Sequence, residues 1–99
     1  MASRLRRGSG NVFRDLGFSA DEAANLQLRS DLMIVLRKRL TADGTTQVQA
    51  ARLFGVSQPR VSDLYRGKID RFSVDTLIKW LGKAGADVRV TVRNKSRAA

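Results

Sequence analysis

The stretch that decides the fold is TQVQAARLFGVSQPRVSDLYRG, residues 46–67. Apolar residues recur at helical spacing on both sides of Gly55, which predicts two short helices separated by a tight turn. A glycine can adopt the left-handed backbone conformation that lets the second helix leave at a steep angle. Ala50 and Ala51 are small enough for the two helices to approach each other closely. The stretch therefore predicts a compact helical pair.

The second helix of this pair, from about Gln58 to Arg66, has a proline and an arginine in its first turn. Pro59 removes no intrahelical hydrogen bond there, and its fixed φ suits the start of a helix. Because it disfavours the α conformation of the preceding residue, either Ser57 or Gln58 could cap the helix. The residues expected to face outward form a compact, mostly polar surface: Gln58, Pro59, Arg60, Ser62, Asp63 and Arg66.

Two longer helices are predicted on either side of the pair. Ser19 followed by Glu22 matches a capping box, which predicts a helix that runs to about residue 40. Ser73 is expected to cap a helix over residues 74–84. Residues expected to face the core are Leu28, Leu32, Val35, Leu36, Leu40, Val48, Ala51, Leu53, Phe54, Val61, Leu64, Tyr65, Phe72, Leu77, Ile78, Trp80 and Leu81.

Apolar and polar residues alternate in DVRVTVR, residues 87–93, which is typical of a β-strand. Val88, Val90 and Val92 would lie on one side of it. A lone strand cannot satisfy its own backbone groups, so pairing with the same strand of a second copy is the favoured solution, which implies a homodimer. Pairing with a short N-terminal segment of the same chain is the alternative.

The chain is expected to divide into a basic flexible arm (1–18), a folded domain (19–93, including the strand 87–93) and a tail (94–99). The arm begins with MASRLRRGSGN, a mixture of arginine, glycine and serine that is typical of disorder. Its last part is apolar and either folds back onto the domain or forms an exposed apolar segment that binds a partner. The apolar residues in question are Val12, Phe13, Leu16 and Phe18.

Composition restricts the functional class. Nineteen basic against nine acidic residues in a chain of 99 give a net charge of +10, which favours polyanions such as nucleic acids. Ribosome-associated proteins and proteins that bind anionic membranes share this balance. With no cysteine and no histidine, no catalytic residue, metal site or cofactor is expected. The longest apolar run, LMIVL, is too short to span a bilayer and no secretory signal is recognisable, so a soluble, intracellular protein is expected.

The stretch 46–67 resembles the helix-turn-helix of the phage-repressor and Cro-like (XRE) DNA-binding family. The residues that carry this resemblance are TQ at 46–47, AA at 50–51, GVS at 55–57, VS at 61–62 and the glycine at 67. With the strand, the expected fold class is mainly α: a lambda-repressor-like helix-turn-helix bundle of four to five helices with a short C-terminal β-strand. In that family the second helix of the motif lies in the major groove of DNA. The resemblance therefore implies double-stranded DNA, as a palindromic operator, as the partner. It also implies, more narrowly, a bacterial cytoplasmic, nucleoid-associated protein.

Carried over by position, the resemblance implies base contacts from Gln58, Pro59, Arg60, Ser62 and Asp63. Gln58 can donate to and accept from adenine, Arg60 can fork onto guanine, and Pro59 is left with apolar contact to a thymine methyl. Asp63 could instead orient Arg60 or Arg66. The residues expected to contact phosphates lie at helix starts or are cationic: Thr46, Gln47, Ser57, Arg66, Lys68 and Arg71.

A narrower resemblance covers most of residues 11–92. This part of the chain is similar to small antitoxins of HigA-like toxin–antitoxin modules. The similarity runs through NVFRDLGF, the capping-box helix, the helix-turn-helix motif and FSVDTLIKWLGKAGADVRVTV. Such an antitoxin binds a small ribonuclease toxin and, as a dimer, represses its own operon. The resemblance implies a toxin partner, for which the apolar part of the arm (Val12, Phe13, Leu16 and Phe18) is the expected surface. A stand-alone prophage-type repressor and a basic RNA- or ribosome-associated module are the alternatives.

Overall fold

The computed structural model describes residues 11–94, which fold into five α-helices and one 3-10 turn. The elements are α1 (Val12–Asp15), α2 (Ala20–Ala42), α3 (Gln47–Phe54), α4 (Gln58–Tyr65), the 3-10 turn (Ile69–Arg71) and α5 (Val74–Lys83). The mainly α bundle predicted from the sequence is confirmed.

The helices start where side-chain capping is available. The predicted capping box of Ser19 and Glu22 opens α2, and a second one, formed by Thr46 and Gln49, opens α3. Gly55 ends α3 with φ 70° and ψ 36°, and the next residue donates its N–H to the carbonyl of Ala51 at 3.0 Å. This left-handed end directs the chain into α4, as expected.

A single apolar core lies between α2, α3, α4 and α5. Its buried members are Met33, Leu36, Leu40, Ala50, Ala51, Phe54, Val61, Leu64, Phe72, Leu77, Trp80 and Leu81. Phe54 stacks on Trp80 with ring centroids 4.4 Å apart, and Phe72 meets the same indole edge-on at 5.4 Å. The three rings join α3, α5 and the segment that follows the 3-10 turn into one cluster.

Three residues expected in the core are partly exposed instead. Leu28, Val48 and Leu53 are 46%, 46% and 43% exposed. At about 100° per residue, Val48 and Leu53 lie on opposite sides of the narrow buried face of α3, which Ala50, Ala51 and Phe54 fill. A short helix with small residues at its centre approaches its neighbours too closely to bury both flanks.

Three arginines of α2 fasten the ends of other elements. Arg29 donates to the carbonyls of Ile69 and Phe72, each at 3.3 Å. Two others do the same at helix C-termini: Arg37 donates to the carbonyl of Tyr65 at 3.2 Å, and Arg39 donates to the carbonyls of Ala84 and Gly85, both at 2.8 Å. A cation at a helix C-terminus satisfies free carbonyls and complements the helix dipole. The long helix α2 thus holds the ends of α4 and α5 in place.

The apolar segment before α2 folds back onto the domain. Asn11 caps α1, and its side-chain amide donates to the carbonyl of Ala23 in α2 at 3.0 Å. The ring of Phe13 is half-buried and meets the ring of Phe18 edge-on at 6.3 Å. Val12, Leu16 and Phe18 nevertheless remain 56%, 69% and 39% exposed. The segment therefore packs on α2 and still presents apolar side chains to solvent.

The strand predicted for residues 87–93 is not formed. Residues 86–94 have no regular secondary structure, and within residues 11–94 no segment pairs with them. Val88 packs on the core, whereas Val90 and Val92 are 75% and 88% exposed. A strand requires a neighbour to accept its backbone hydrogen bonds, and residues 11–94 offer none here.

Two glycine substitutions should change stability in opposite directions. Gly55→Ala should lower the free energy of unfolding by about 1–2 kcal/mol, because its positive φ disfavours any residue with a Cβ. Gly82→Ala should raise it by about 0.5 kcal/mol, because this glycine lies within α5 and alanine restricts the unfolded chain. An added Cβ would meet no atom within 4 Å at either position, so sterics do not differ. Urea unfolding measures both, and a shift of the same sign would contradict the backbone argument.

Candidate nucleic-acid interface

The helix α4 is anchored by one face and open on the other. Val61 and Leu64 are fully buried, which fixes the rotation of the helix about its axis. Gln58 and Pro59 are exposed and Ser62 is half-exposed on the opposite side. Their side chains make no hydrogen bond to any other residue between 11 and 94. The helix therefore offers a small free face at its first turn and a half.

The sequence left either Ser57 or Gln58 as the N-cap of α4, and in the structure the N-cap is Ser57. Its backbone is extended (φ −75°, ψ 157°) and its side chain makes no capping hydrogen bond. Thr46, at the start of α3, differs because its hydroxyl oxygen accepts from the N–H of Gln49 at 3.1 Å. The hydroxyl of Ser57 is thus free to meet a ligand at the start of the outward helix.

The side chain of Arg60 is turned inward. Its guanidinium lies 4.2 Å above the ring of Phe72 and 5.6 Å from the ring of Trp80. One guanidinium nitrogen also donates to the carbonyl of Arg71 at 2.7 Å. These contacts fasten α4 to the segment that follows it, so Arg60 is half-buried rather than presented with Gln58.

Asp63, for which the resemblance implies a base contact, is also engaged within the chain. Its carboxylate accepts from the guanidinium of Arg71 at 3.3 Å, and its side chain is only 16% exposed. The arginine that it orients is therefore neither Arg60 nor Arg66. Arg71 remains 54% exposed and is held against the side of α4.

Seven of the eleven predicted DNA-contacting residues form two groups in space. The open side of α4 carries Ser57, Gln58, Pro59 and Ser62, while α4 and the following segment join Arg60, Asp63 and Arg71 in one cluster. Arg66 is exposed at the C-cap of α4, and Lys68 precedes the 3-10 turn. The remaining two, Thr46 and Gln47, lie at the start of α3.

Arg29 is a residue near this cluster that the sequence did not single out. A shallow cleft of about 430 Å³ lies between α2, the 3-10 turn and the start of α5, and Arg29, Arg60 and Arg71 line it together. Arg29 is 31 positions away from Arg60 in the chain, and helical periodicity alone gives no sign of this proximity. Its positive charge nevertheless adds to the basic surroundings of α4.

Residues 11–94 contain neither a metal-binding cluster nor a membrane-spanning helix. This part of the chain holds no group of three or more acidic, histidine or cysteine side chains that could bind a metal ion. None of its helices has the length and apolarity required to cross a membrane. The outward face of α4 offers hydrogen bonding, and the cationic side chains beside it, such as Arg66 and Arg71, add positive charge.

Known proteins share both the sequence and the fold. A family described as "Helix-turn-helix domain" matches residues 12–93. A protein named "Putative antitoxin HigA2", from Mycobacterium tuberculosis, is 40% identical over 58 residues, which are 59% of this chain and 57% of that protein. The match thus spans little more than half the length of this relative.

A solved structure named "Putative XRE Family Transcriptional Regulator" superposes with a TM-score of 0.72 at 34% identity, over 79% of this chain and 90% of that one. The resemblance expected from the sequence is confirmed. The chain belongs to the helix-turn-helix domain family and is of the XRE type, a class of DNA-binding transcription regulators and not of enzymes.

Proposed function

We propose that this protein is a sequence-specific DNA-binding antitoxin that represses its own operon and neutralises a cognate toxin, a small ribonuclease. The observation that carries the proposal is the combination of an XRE-type fold with 40% identity to a protein named as an antitoxin. Such a repressor would act on the bacterial nucleoid, in the cytoplasm.

Base recognition is proposed for the free face of α4. Gln58, Pro59 and Ser62 are the side chains that could enter the major groove without breaking a contact within the chain. Arg60 could reach a base only by leaving the Phe72 ring and the carbonyl of Arg71. We therefore infer that Arg60 and Asp63, both expected from the resemblance to read bases, act mainly by positioning α4 and Arg71.

Phosphate contacts are proposed for the residues around that face. Thr46, Gln47 and Ser57 stand at the starts of α3 and α4, where backbone N–H groups and the helix dipole favour anions. Three cations flank the same region, namely Arg66, Lys68 and Arg71. Contacts of this kind position a protein on DNA without selecting a sequence.

A homodimer is proposed to bind the two halves of a palindromic operator. The support is the exposure of Val90 and Val92, which are available to pack against the same segment of a second copy. With Val88, these two residues form the apolar side of the strand that the sequence predicts. Pairing across a two-fold axis would satisfy the backbone groups of residues 87–93. It would also set the distance between the two α4 helices.

The toxin-binding role is proposed for the segment before α2. Val12, Leu16 and Phe18 are exposed there, whereas Phe13 is half-buried and contributes packing rather than contact surface. The name of the relative that matches over 58 residues supports a toxin as the partner.

A stand-alone repressor is the second candidate, supported by the XRE regulator that is matched over 90% of its length. An RNA-binding module has less support. Proteins that read single-stranded RNA stack bases on exposed aromatic rings, and Phe54, Phe72 and Trp80 are buried here.

The stabilities of two arginine variants test whether the inward contacts of Arg60 hold α4 in position. Arg60→Ala should lower the free energy of unfolding by about 1–2 kcal/mol, because it removes a stacked guanidinium and a hydrogen bond to a backbone carbonyl. Arg66→Ala removes the same charge from an exposed cap position and should change it by less than about 0.5 kcal/mol. Chemical denaturation measures both variants. Equal effects would show that the inward contacts of Arg60 do not stabilise the fold.

Gln58 and Lys68 separate sequence reading from charge. In titrations of the protein's own promoter duplex, Gln58→Ala should relax specificity at one base pair by about 1–3 kcal/mol. Lys68→Ala should weaken binding to operator and random duplexes alike and reduce the salt slope by about one. The stoichiometry should be two chains per operator. Equal behaviour of the two variants on both duplexes, or equal affinity of the wild type for structured RNA, would contradict DNA-specific recognition.

Co-expression tests the antitoxin role. The reading frame beside this gene should encode a small protein that arrests growth when expressed alone, and the present chain should restore growth and copurify with it. A stand-alone repressor would bind the operator with the same properties but would neither restore growth nor copurify.

A further inference from the structure

Residues 87–93 have no backbone partner in the part of the chain that the structure describes. Among residues 11–94, none of their N–H or carbonyl groups bonds to another backbone group. In an extended conformation successive side chains point to opposite sides, so Val88, Val90 and Val92 share one side of the segment. The opposite side is polar and carries Asp87, Arg89, Thr91 and Arg93. A strand that pairs with the segment would therefore meet valines on one side and charges on the other.

The charges are arranged unequally along the polar side. Asp87 lies at its start, and the two cations, Arg89 and Arg93, follow. Within the single chain the carboxylate of Asp87 accepts from the guanidinium of Arg89 at 3.0 Å, and the two side chains are 77% and 85% exposed. An ion pair this exposed contributes little to stability, so Asp87 can exchange Arg89 for another cation at little cost.

A second copy of the chain can supply the missing strand, and its own charges limit how it can lie. A parallel pair would place each charge beside the same charge of the other copy, which is unfavourable. In an antiparallel pair related by a two-fold axis, an axis between two residues would place valines opposite polar residues. The axis must therefore pass through one residue, and the three registers that pair most of the segment are centred on Arg89, Val90 or Thr91.

Charge separates these three registers. An axis at Arg89 would place this arginine opposite itself, and an axis at Thr91 would place Arg89 opposite Arg93. Like charges directly opposite each other destabilise a strand pair. An axis at Val90 places Arg89 opposite Thr91 and Asp87 opposite Arg93, and the symmetry repeats the second pair at the other end. This register alone pairs all of residues 87–93 and forms ion pairs between the copies.

The same register aligns the apolar sides. Val90 of each copy meets its counterpart at the axis, and Val88 lies opposite Val92 of the second copy. Because Val88 packs on the core, this pairing brings the exposed Val92 of one copy to the edge of the other's core. Val90 and Val92, which are 75% and 88% exposed in the single chain, would both lose contact with water.

We propose that two copies pair through residues 87–93 in the antiparallel register centred on Val90, held by two ion pairs between Asp87 and Arg93, an inference that rests on the proposed homodimer. A change to the next register would move one strand by two residues along the other, which is about 7 Å. That distance is close to two base-pair steps of DNA. The charges of the segment thus determine the distance between the two α4 helices, and with it the spacing of the operator halves.

The test exchanges the charges of the inferred pair in the full-length chain. Asp87→Arg and Arg93→Asp each turn both attractive pairs into repulsive ones. Sedimentation equilibrium should show dimers about ten-fold or more weaker than wild type at low salt, with a smaller difference at high salt. An equimolar mixture of the two variants restores both pairs. Native mass spectrometry, which separates the species by mass, should show a heterodimer about as tight as the wild-type homodimer.

Arg89→Asp is the matched control for Arg93→Asp. Both substitutions lower the net charge by the same amount, so general repulsion between two basic copies falls equally. Arg89 faces Thr91 in the inferred register, and its replacement should not weaken the dimer. Arg93→Asp should weaken it despite the lower net charge, because position 93 then faces the carboxylate of Asp87.

A wild-type dimer whose two charge variants form homodimers as tight as their heterodimer would overturn the register and leave the homodimer intact. Weakening by Arg89→Asp but not by Arg93→Asp would also overturn it, since Asp87 would then face Arg89. A wild type that sediments as a monomer would overturn both the register and the homodimer. A wild type that dimerises with the expected charge dependence but does not bind its promoter duplex would overturn the DNA-binding function alone.

Discussion

The arrangement of the domain depends on one aromatic cluster, formed by Phe54, Trp80 and Phe72. The guanidinium of Arg60 lies above the ring of Phe72 and completes it. Each member comes from a different element: α3, α5, the segment after the 3-10 turn and α4. Aromatic rings bury a large area in a defined geometry, so one cluster can fix the relative orientation of four segments. The outward face of α4 is aimed by this cluster, although none of its rings is exposed on that face.

A second constraint comes from the arginines of α2. Arg29, Arg37 and Arg39 donate to backbone carbonyls at the ends of other elements, and therefore work as structural ties. Arg60 has the same use, and Arg71 is paired with Asp63. The formal charge of the chain consequently overstates the number of cations that are free to approach DNA. Since these guanidinium groups keep their charge while they are bound, they still contribute to the long-range field that attracts phosphates.

The helix-turn-helix and its caps could be predicted from the sequence because they depend on local chemistry. The capping box of Ser19, the left-handed Gly55 and the periodicity of Val61 and Leu64 each act within a few residues. Contacts between distant segments could not be predicted in this way. Nothing in the local pattern shows that Arg60 would stack on Phe72 in preference to facing outward.

Two further differences have the same origin. Val48 and Leu53 have the apolar character of core residues, but the close approach of α3 to its neighbours decides which face is buried. The alternation of residues 87–93 predicts a strand correctly only if a second strand is supplied, and the described part of the chain, residues 11–94, contains none.

The division of labour within α4 has a consequence for how such a protein can change over evolutionary time. Gln58, Pro59 and Ser62 lie on the free face, so replacing them changes the proposed recognition surface with little effect on folding. Arg60, Asp63 and the buried Val61 and Leu64 are tied to the rest of the domain. The outward surface can therefore change while the scaffold stays constant, without first acquiring compensating stabilising mutations.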